Sequence, residues 1–206
     1  KSIYRKFYNS ILRQSKNKMK VGSSSPKKNH FDIPKGSSVL DTDIWEKFKG
    51  DKGDLSSVTI PEGVTSIWNG VFSGCTKLTN VNIPESIVMI GDYAFSRCTS
   101  LTEVTIPEGV TSIGNYAFSQ CTSLININIP KSTTSIYKGS FSGCTSLTDV
   151  TIPESVKKIG DFAFNRCTSL TDVTIPKSVE TIGKEAFAYC TSLTDVTIQE
   201  GVKTIG

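Results

Sequence analysis

Residues 144–166 read CTSLTDVTIPESVKKIGDFAFNR, and Cys167 then opens the same sentence again. Cysteines stand at Cys75, Cys98, Cys121, Cys144, Cys167 and Cys190, every interval being 23 residues with no insertion. A fixed period of this length is the mark of a solenoid, in which one structural unit is stacked on its copies. With the cysteine as position 1, position 4 is always Leu, position 7 Val or Ile, position 9 Ile, and position 21 Phe. An earlier half-matched unit, with Leu55, Val58 and Ile60 in phase but no cysteine, begins near Lys52.

Each column has a physical reading. The V-x-I pair at positions 7–9 alternates, as a short strand with one buried face does. Val81 and Ile83 should face inward, Asn80 and Asn82 outward. Proline at position 10 has no N–H to give and should end the strand. Position 17 is often Gly, which suggests a tight turn. The remaining residues leave no room for a ten-residue helix, so short extended or 3₁₀-like pieces are expected on the far side. One coil cannot cover its own apolar side, but stacked coils cover one another. Leu, Ile and Phe should therefore form inward columns, and Phe118→Ala should be the severe deletion, at roughly 2–5 kcal/mol.

Two units depart together. Residues 67–75 (IWNGVFSGC) and 136–144 (IYKGSFSGC) place an aromatic at position 17 and Gly at 19. The other units read Gly91–Tyr93, Gly114–Tyr116 and Gly160–Phe162. A local change of turn that keeps one ring over the same edge is the expectation.

The cysteines read as a buried column of free thiols, since Cys packs as a small hydrophobe. Disulfides compete, but equivalent side chains on stacked coils point the same way. That holds their Cβ atoms farther apart than the usual ~3.8 Å of a bridge. Metal chemistry is the third reading. It lacks a C-x-x-C, and the lone His30 lies far away.

The net charge of +4 hides two characters. Residues 1–50 carry twelve Lys/Arg and four Asp/Glu, whereas residues 51–206 carry eleven and fifteen. The chain begins at Lys1, which reads as a fragment or a processed form. Residues 1–37 are taken as a basic N-terminal segment: an amphipathic helix over 1–13, then a flexible Ser/Lys/Gly/Pro stretch. It could contact an anionic membrane or nucleic acid, or be a solvated linker. Residues 38–54 are taken as a capping segment, with Trp45 and Phe48 as the lid over the first coil; an exposed recognition patch is the alternative. Residues 55–206 form the repeat domain.

Outward strand residues supply the candidate protein-binding face. Position 6 gives Asn80, Glu103, Asn126, Asp149, Asp172 and Asp195. Position 8 gives Asn82, Thr105, Asn128, Thr151, Thr174 and Thr197. The strip becomes acidic toward the C-terminus, and aspartates about 5 Å apart repel unless a cation or water relieves them. A basic partner or plain solubility would each account for it. No catalytic, cofactor or metal site is expected. No base–nucleophile pair is visible around His30, no phosphate loop occurs, and the stretch at 51–54 (DKGD) is too short for a calcium loop. No glycosylation sequon is present, and no apolar run reaches a membrane-spanning length.

The unit at 144–166 closely resembles the BspA-like (Treponema pallidum-type) leucine-rich repeats: a cysteine, a Leu, an Ile/Val-x-Ile-Pro strand, then I-G-x-x-A-F. The match covers about residues 55–206. Val71–Phe72 and Ser140–Phe141 depart from the Ala-Phe of the pattern. The resemblance implies an α/β-type solenoid, a right-handed leucine-rich-repeat superhelix. Short parallel strands would line its concave face, and irregular or 3₁₀ segments its convex face. It further implies a non-enzymatic adhesion scaffold, secreted or at the cell surface, that engages a matrix or cell-surface protein. An architectural spacer and a recruiting domain of a larger intracellular enzyme are the alternatives. The last coil is open, so end-to-end self-association is also expected.

Overall fold

The computed structural model describes residues 29–46, 48 and 50–206; the helix expected over residues 1–13 lies outside them. The chain winds into a parallel β-solenoid of about eight coils with about 23 residues per coil. A front column of strands comprises β1 (His30–Asp32), β3 (Ser57–Thr59), β5 (Asn80–Asn82), β7 (Glu103–Val104), β9 (Asn126–Ile127), β12 (Asp172–Ile175) and β14 (Asp195–Ile198). A second column comprises β2 (Val39–Leu40), β4 (Ser66–Ile67), β6 (Met89–Ile90), β8 (Ser112–Ile113), β10 (Ser135–Ile136), β11 (Lys158–Ile159), β13 (Thr181–Ile182) and β15 (Thr204–Ile205).

Every pairing is parallel and places a residue on its own counterpart. Val58 pairs with Val81, Val104 with Ile127 and Val173 with Val196. The 23-residue period sets that register, because a one-residue slip would turn each inward Val to solvent. The interior is a set of columns. Leu78, Leu101, Leu124, Leu147 and Leu170 are fully buried. Phe72, Phe95, Phe118, Phe141, Phe164 and Phe187 stack with centroids 5.2–5.9 Å apart. Five cysteines are buried and Cys190 is half-buried, all with free thiols. The Cys98 thiol donates to the Phe72 carbonyl at 3.2 Å, and the thiols of Cys121, Cys144, Cys167 and Cys190 repeat that bond one coil on each time.

On the far side, positions 17–23 form overlapping turns. The 3₁₀ helices described, Thr42–Glu46 and Lys52–Asp54, belong instead to the first coil. These turns build a third ladder between coils. The N–H groups of Tyr93, Phe95 and Arg97 donate to the carbonyls of Asn115, Ala117 and Ser119 at 2.8–2.9 Å. The pattern repeats along the array, so irregular backbone is as fully bonded here as a strand would be.

Two sequence expectations need correction. Position 17 is Gly for clearance, not for a tight turn. A Cβ at Gly91, Gly114, Gly160 or Gly183 would come within 2.4–2.8 Å of the backbone of the coil before. The tight backbone lies at positions 19 and 23, where φ is positive in every complete unit: Gly70 65°, Tyr93 57°, Gly139 59°, Phe162 58°, and Gly74 78°, Arg97 61°. The departing units therefore do not change the turn. Gly70 and Gly139 occupy the same left-handed position that Tyr93, Tyr116 and Phe162 hold at a steric cost.

The first coil starts earlier than the sequence suggests. β1, inside the stretch expected to be flexible, pairs with β3 through His30–Ser57. Trp45 closes this end, with its ring edge-on to Phe72 at 6.1 Å and its indole N–H donating to the Val71 carbonyl at 2.7 Å. Phe48 lies 5.3 Å from the ring of Phe31 and 5.6 Å from that of Trp45. At the other end the inward residues of the last coil are uncovered, Val196 being 51% and Ile198 47% exposed.

Candidate functional site: the front strand face

Alternation decides which side chains this face shows. In β5 the pattern is exposed–buried–exposed, so Asn80 and Asn82 project while Val81 anchors the strand. All twelve residues predicted at positions 6 and 8 are exposed, and they form two parallel rows along the solenoid. Asp172 lies opposite Asp195 and Thr174 opposite Thr197. The Thr171 hydroxyl donates to Asp172 Oδ2 at 3.0 Å, and Thr194 treats Asp195 likewise at 3.4 Å. None of the four ion pairs among the described residues includes Asp149, Asp172 or Asp195. Among the described residues, threonine hydroxyls rather than cations contact Asp172 and Asp195.

The structure gathers four of the twelve. Asn126, Asn128, Asp149 and Thr151 line an open groove of about 630 Å³ with Ile127, Ile129, Pro153 and Ser155. Glu108, Lys131 and Glu154, all at position 11, complete its rim. The position-11 column is visible in the sequence, but it follows the proline that ends the strand and so carries no alternation signal to place it on this face. The other eight predicted residues lie outside this groove.

Asn128 differs from its row. Its side-chain amide donates to the Ile106 carbonyl at 2.8 Å, and its Oδ1 accepts the Ile106 N–H at 2.8 Å. The amide thus copies a strand edge and satisfies two backbone groups of the previous coil. Across the same interface Glu108 accepts the Lys131 N–H at 2.9 Å.

Around His30 the fold assembles groups that the sequence left scattered. Its Nδ1 lies 2.6 Å from Ser57 Oγ, and its Nε2 lies 3.0 Å from Asp32 Oδ1 and 3.3 Å from Thr59 Oγ1. The arrangement stands on the open faces of β1 and β3, with the Asp32 side chain 79% exposed. These polar contacts tie the first strand to the array. The link was illegible because the first coil is 27 residues long, not 23.

The thiols are set apart from reactive cysteines by their surroundings. Burial pushes Cys75 and Cys144 up to about 12, and it also raises Cys98, Cys121, Cys167 and Cys190. Each is held as the neutral thiol, and in all but Cys75 that thiol donates to a Phe carbonyl. A second, smaller depression of about 300 Å³ lies on the second strand column, lined by Asp41, Thr42, Trp68, Asn69 and Met89. Trp68 is 51% exposed there.

The sequence matches the family described as BspA type leucine rich repeat region, in six copies over residues 46–141 and 123–206. The chain belongs to this family. Among solved structures it is similar to the Treponema pallidum leucine-rich-repeat protein, with 31% identity over 89% of this chain and 81% of that one, at a TM-score of 0.70. It is also similar to a leucine-rich-repeat protein of Bacteroides ovatus, with 26% identity over 86% of this chain and a TM-score of 0.65. This chain spans 62% of the length of the Bacteroides chain. Among curated proteins none matches the sequence. Neither the family description nor the names of these structures indicate catalysis. No helix among the described residues is long and apolar enough to cross a membrane.

Proposed function

We propose that this repeat array is a protein-binding scaffold whose front strand face receives the partner. The observation that carries the reading is the groove over Asn126, Asn128, Asp149 and Thr151, which lies on a regular polar face whose acidic row has no cation partner among the described residues. Exposed carboxylates in register on a rigid sheet steer and orient a basic partner more than they add raw affinity. Cell-surface adhesion to a matrix or surface protein is the setting that family membership favours. The test is a pull-down from an extracellular-matrix or cell-surface protein extract, with the wild-type chain and the Asp149→Asn, Asp172→Asn, Asp195→Asn triple variant. Loss of a captured protein from the triple variant, with the fold intact, supports the reading. Equal capture by both removes the acidic row from it, and no capture by either favours an architectural spacer.

A further inference from the structure

The second strand column is broken once. β2, β4, β6 and β8 form one continuous sheet, and β10, β11, β13 and β15 form another. β8 and β10 belong to successive coils, yet they do not pair. Two backbone bonds found at the other coil interfaces are missing here. At position 14 the N–H groups of Thr65, Val88, Thr111, Lys157, Glu180 and Lys203 each donate to the coil before, and Thr134 does not. At position 17 those of Trp68, Gly91, Gly114, Gly160, Gly183 and Gly206 do the same, and Tyr137 does not.

The cause lies in the sequence. At Gly91, Gly114, Gly160 and Gly183 there is no room for a Cβ beside the preceding coil. Tyr137 brings a Cβ to that position, so its strand cannot close on β8. Trp68 escapes because the coil before it leaves β2 into the 3₁₀ helix Thr42–Glu46, and its N–H still reaches the Leu40 carbonyl at 2.8 Å. The gap extends into the core, where Phe118 and Phe141 stand 5.9 Å apart while every other Phe pair stands at 5.2–5.3 Å.

Polar side chains occupy the gap. Thr133 stands where the other units have Val or Ile, is buried, and donates to the Val110 carbonyl at 3.4 Å. Ser140 stands where others have Val or Ala, is buried, and donates to the Gly114 carbonyl at 3.3 Å. Asn128 adds its two bonds to Ile106 on the front. On the front, β7 and β9 still pair across this interface, Glu103 with Asn126 and Val104 with Ile127, and these contacts and the turn ladder add to that hold, while the second-strand side is left open.

We infer that the second strand column is two cooperative ladders meeting at a built-in joint between β8 and β10, and that the second-strand side of this joint opens ahead of the second-strand sides of the interfaces next to it. In a one-dimensional array each interface contributes separately, so the interface that lacks its second-strand ladder becomes the place where that column begins to open. The test is amide hydrogen exchange on the purified 206-residue chain, corrected for intrinsic rates. The amides of Thr134 and Tyr137 should exchange at least about ten-fold faster than those of Lys157 and Gly160, their equivalents one coil on. Equal protection at the two interfaces would overturn the inference. Tyr137→Gly should restore the clearance and slow exchange at positions 134 and 137. A folded Tyr137→Gly chain with unchanged exchange there would refute the cause assigned to the joint. Gly160→Ala is the independent variant, expected to speed exchange at positions 157 and 160, and its failure to do so counts against the same mechanism.

Discussion

A repeated residue in this array is repeated because its neighbour is its own copy. Phe95 shows the rule, with rings at 5.2 Å on both sides. Phe118 has one such neighbour and one at 5.9 Å. Deleting either ring to Ala should cost roughly 3–5 kcal/mol. Phe95→Ala should be the costlier of the two, reversing the choice of Phe118 that the sequence suggests, and urea denaturation of both variants measures the difference. The cysteines extend the argument to protonation. Their folded-state affinity for the proton is raised by burial, so in alkali the unfolded thiol loses its proton while the folded one keeps it. The stability they contribute is complete below the ordinary thiol range of about 8.5 and is lost as pH rises from there toward 12. Each deeply buried thiol should remove about 1.4 kcal/mol per pH unit in that window. Denaturation midpoints taken from pH 8 to 11 should therefore fall steadily, and a Cys75→Ala, Cys144→Ala variant should fall less steeply. In the native chain at neutral pH, iodoacetamide should label Cys190 alone, since it is the one thiol only half-buried. Labelling of Cys98 or Cys121 at the same rate would contradict the packed column.

At the scale of the element, the front strand edge shows how a polar side chain can replace backbone pairing. Asn128 makes two hydrogen bonds to Ile106 across the joint. Asn128→Ala should lose roughly 1–3 kcal/mol, because two backbone groups are left to water or to nothing. Asn82→Ala, in the same row but without such side-chain bonds, should stay within about 0.5 kcal/mol. Thermal melts of the two variants give the comparison. It also bears on the binding face: lost capture in an Asn128 variant would mix partner contact with a disturbed fold, which is why the aspartates are the better probes. The strands themselves were legible. The period alone places Val81 over Val58 and Asp172 beside Asp195, as the strands pair them. Clearance was not. The Gly-to-Tyr exchange at 137 is plain in the sequence, but its consequence depends on how close the preceding coil passes, and that distance exists only in the folded array. The groove was hidden for the same reason, since the reliefs of Glu108, Asn126 and Asp149 come from three different coils.

For the whole molecule, the two ends of the solenoid differ. Trp45, Phe48 and Phe31 cover the first coil with rings 5.3–6.4 Å apart. Among the described residues none covers the last coil in this way, and Val196, Ile198 and Ile205 are 51%, 47% and 65% exposed. β14 and β15 also present one edge of unpaired N–H and C=O groups beside this apolar surface. Apolar area and open backbone on one edge favour association with another sheet edge. The Trp45 lid blocks the opposite end, so head-to-tail growth is obstructed and an end-to-end pair of last coils is the contact left open. The 206-residue chain should then sediment as a mixture of monomer and dimer whose dimer fraction rises with concentration. Ile198→Lys with Ile205→Lys sets two cations on that edge, and like charges facing across a pair oppose it. The double variant should remain monomeric at concentrations where the wild-type chain dimerises, with the same circular dichroism. Dimerisation undiminished in the variant would move the contact away from this end, and the front face would be the next surface to probe, through Asp195→Lys in the same sedimentation experiment.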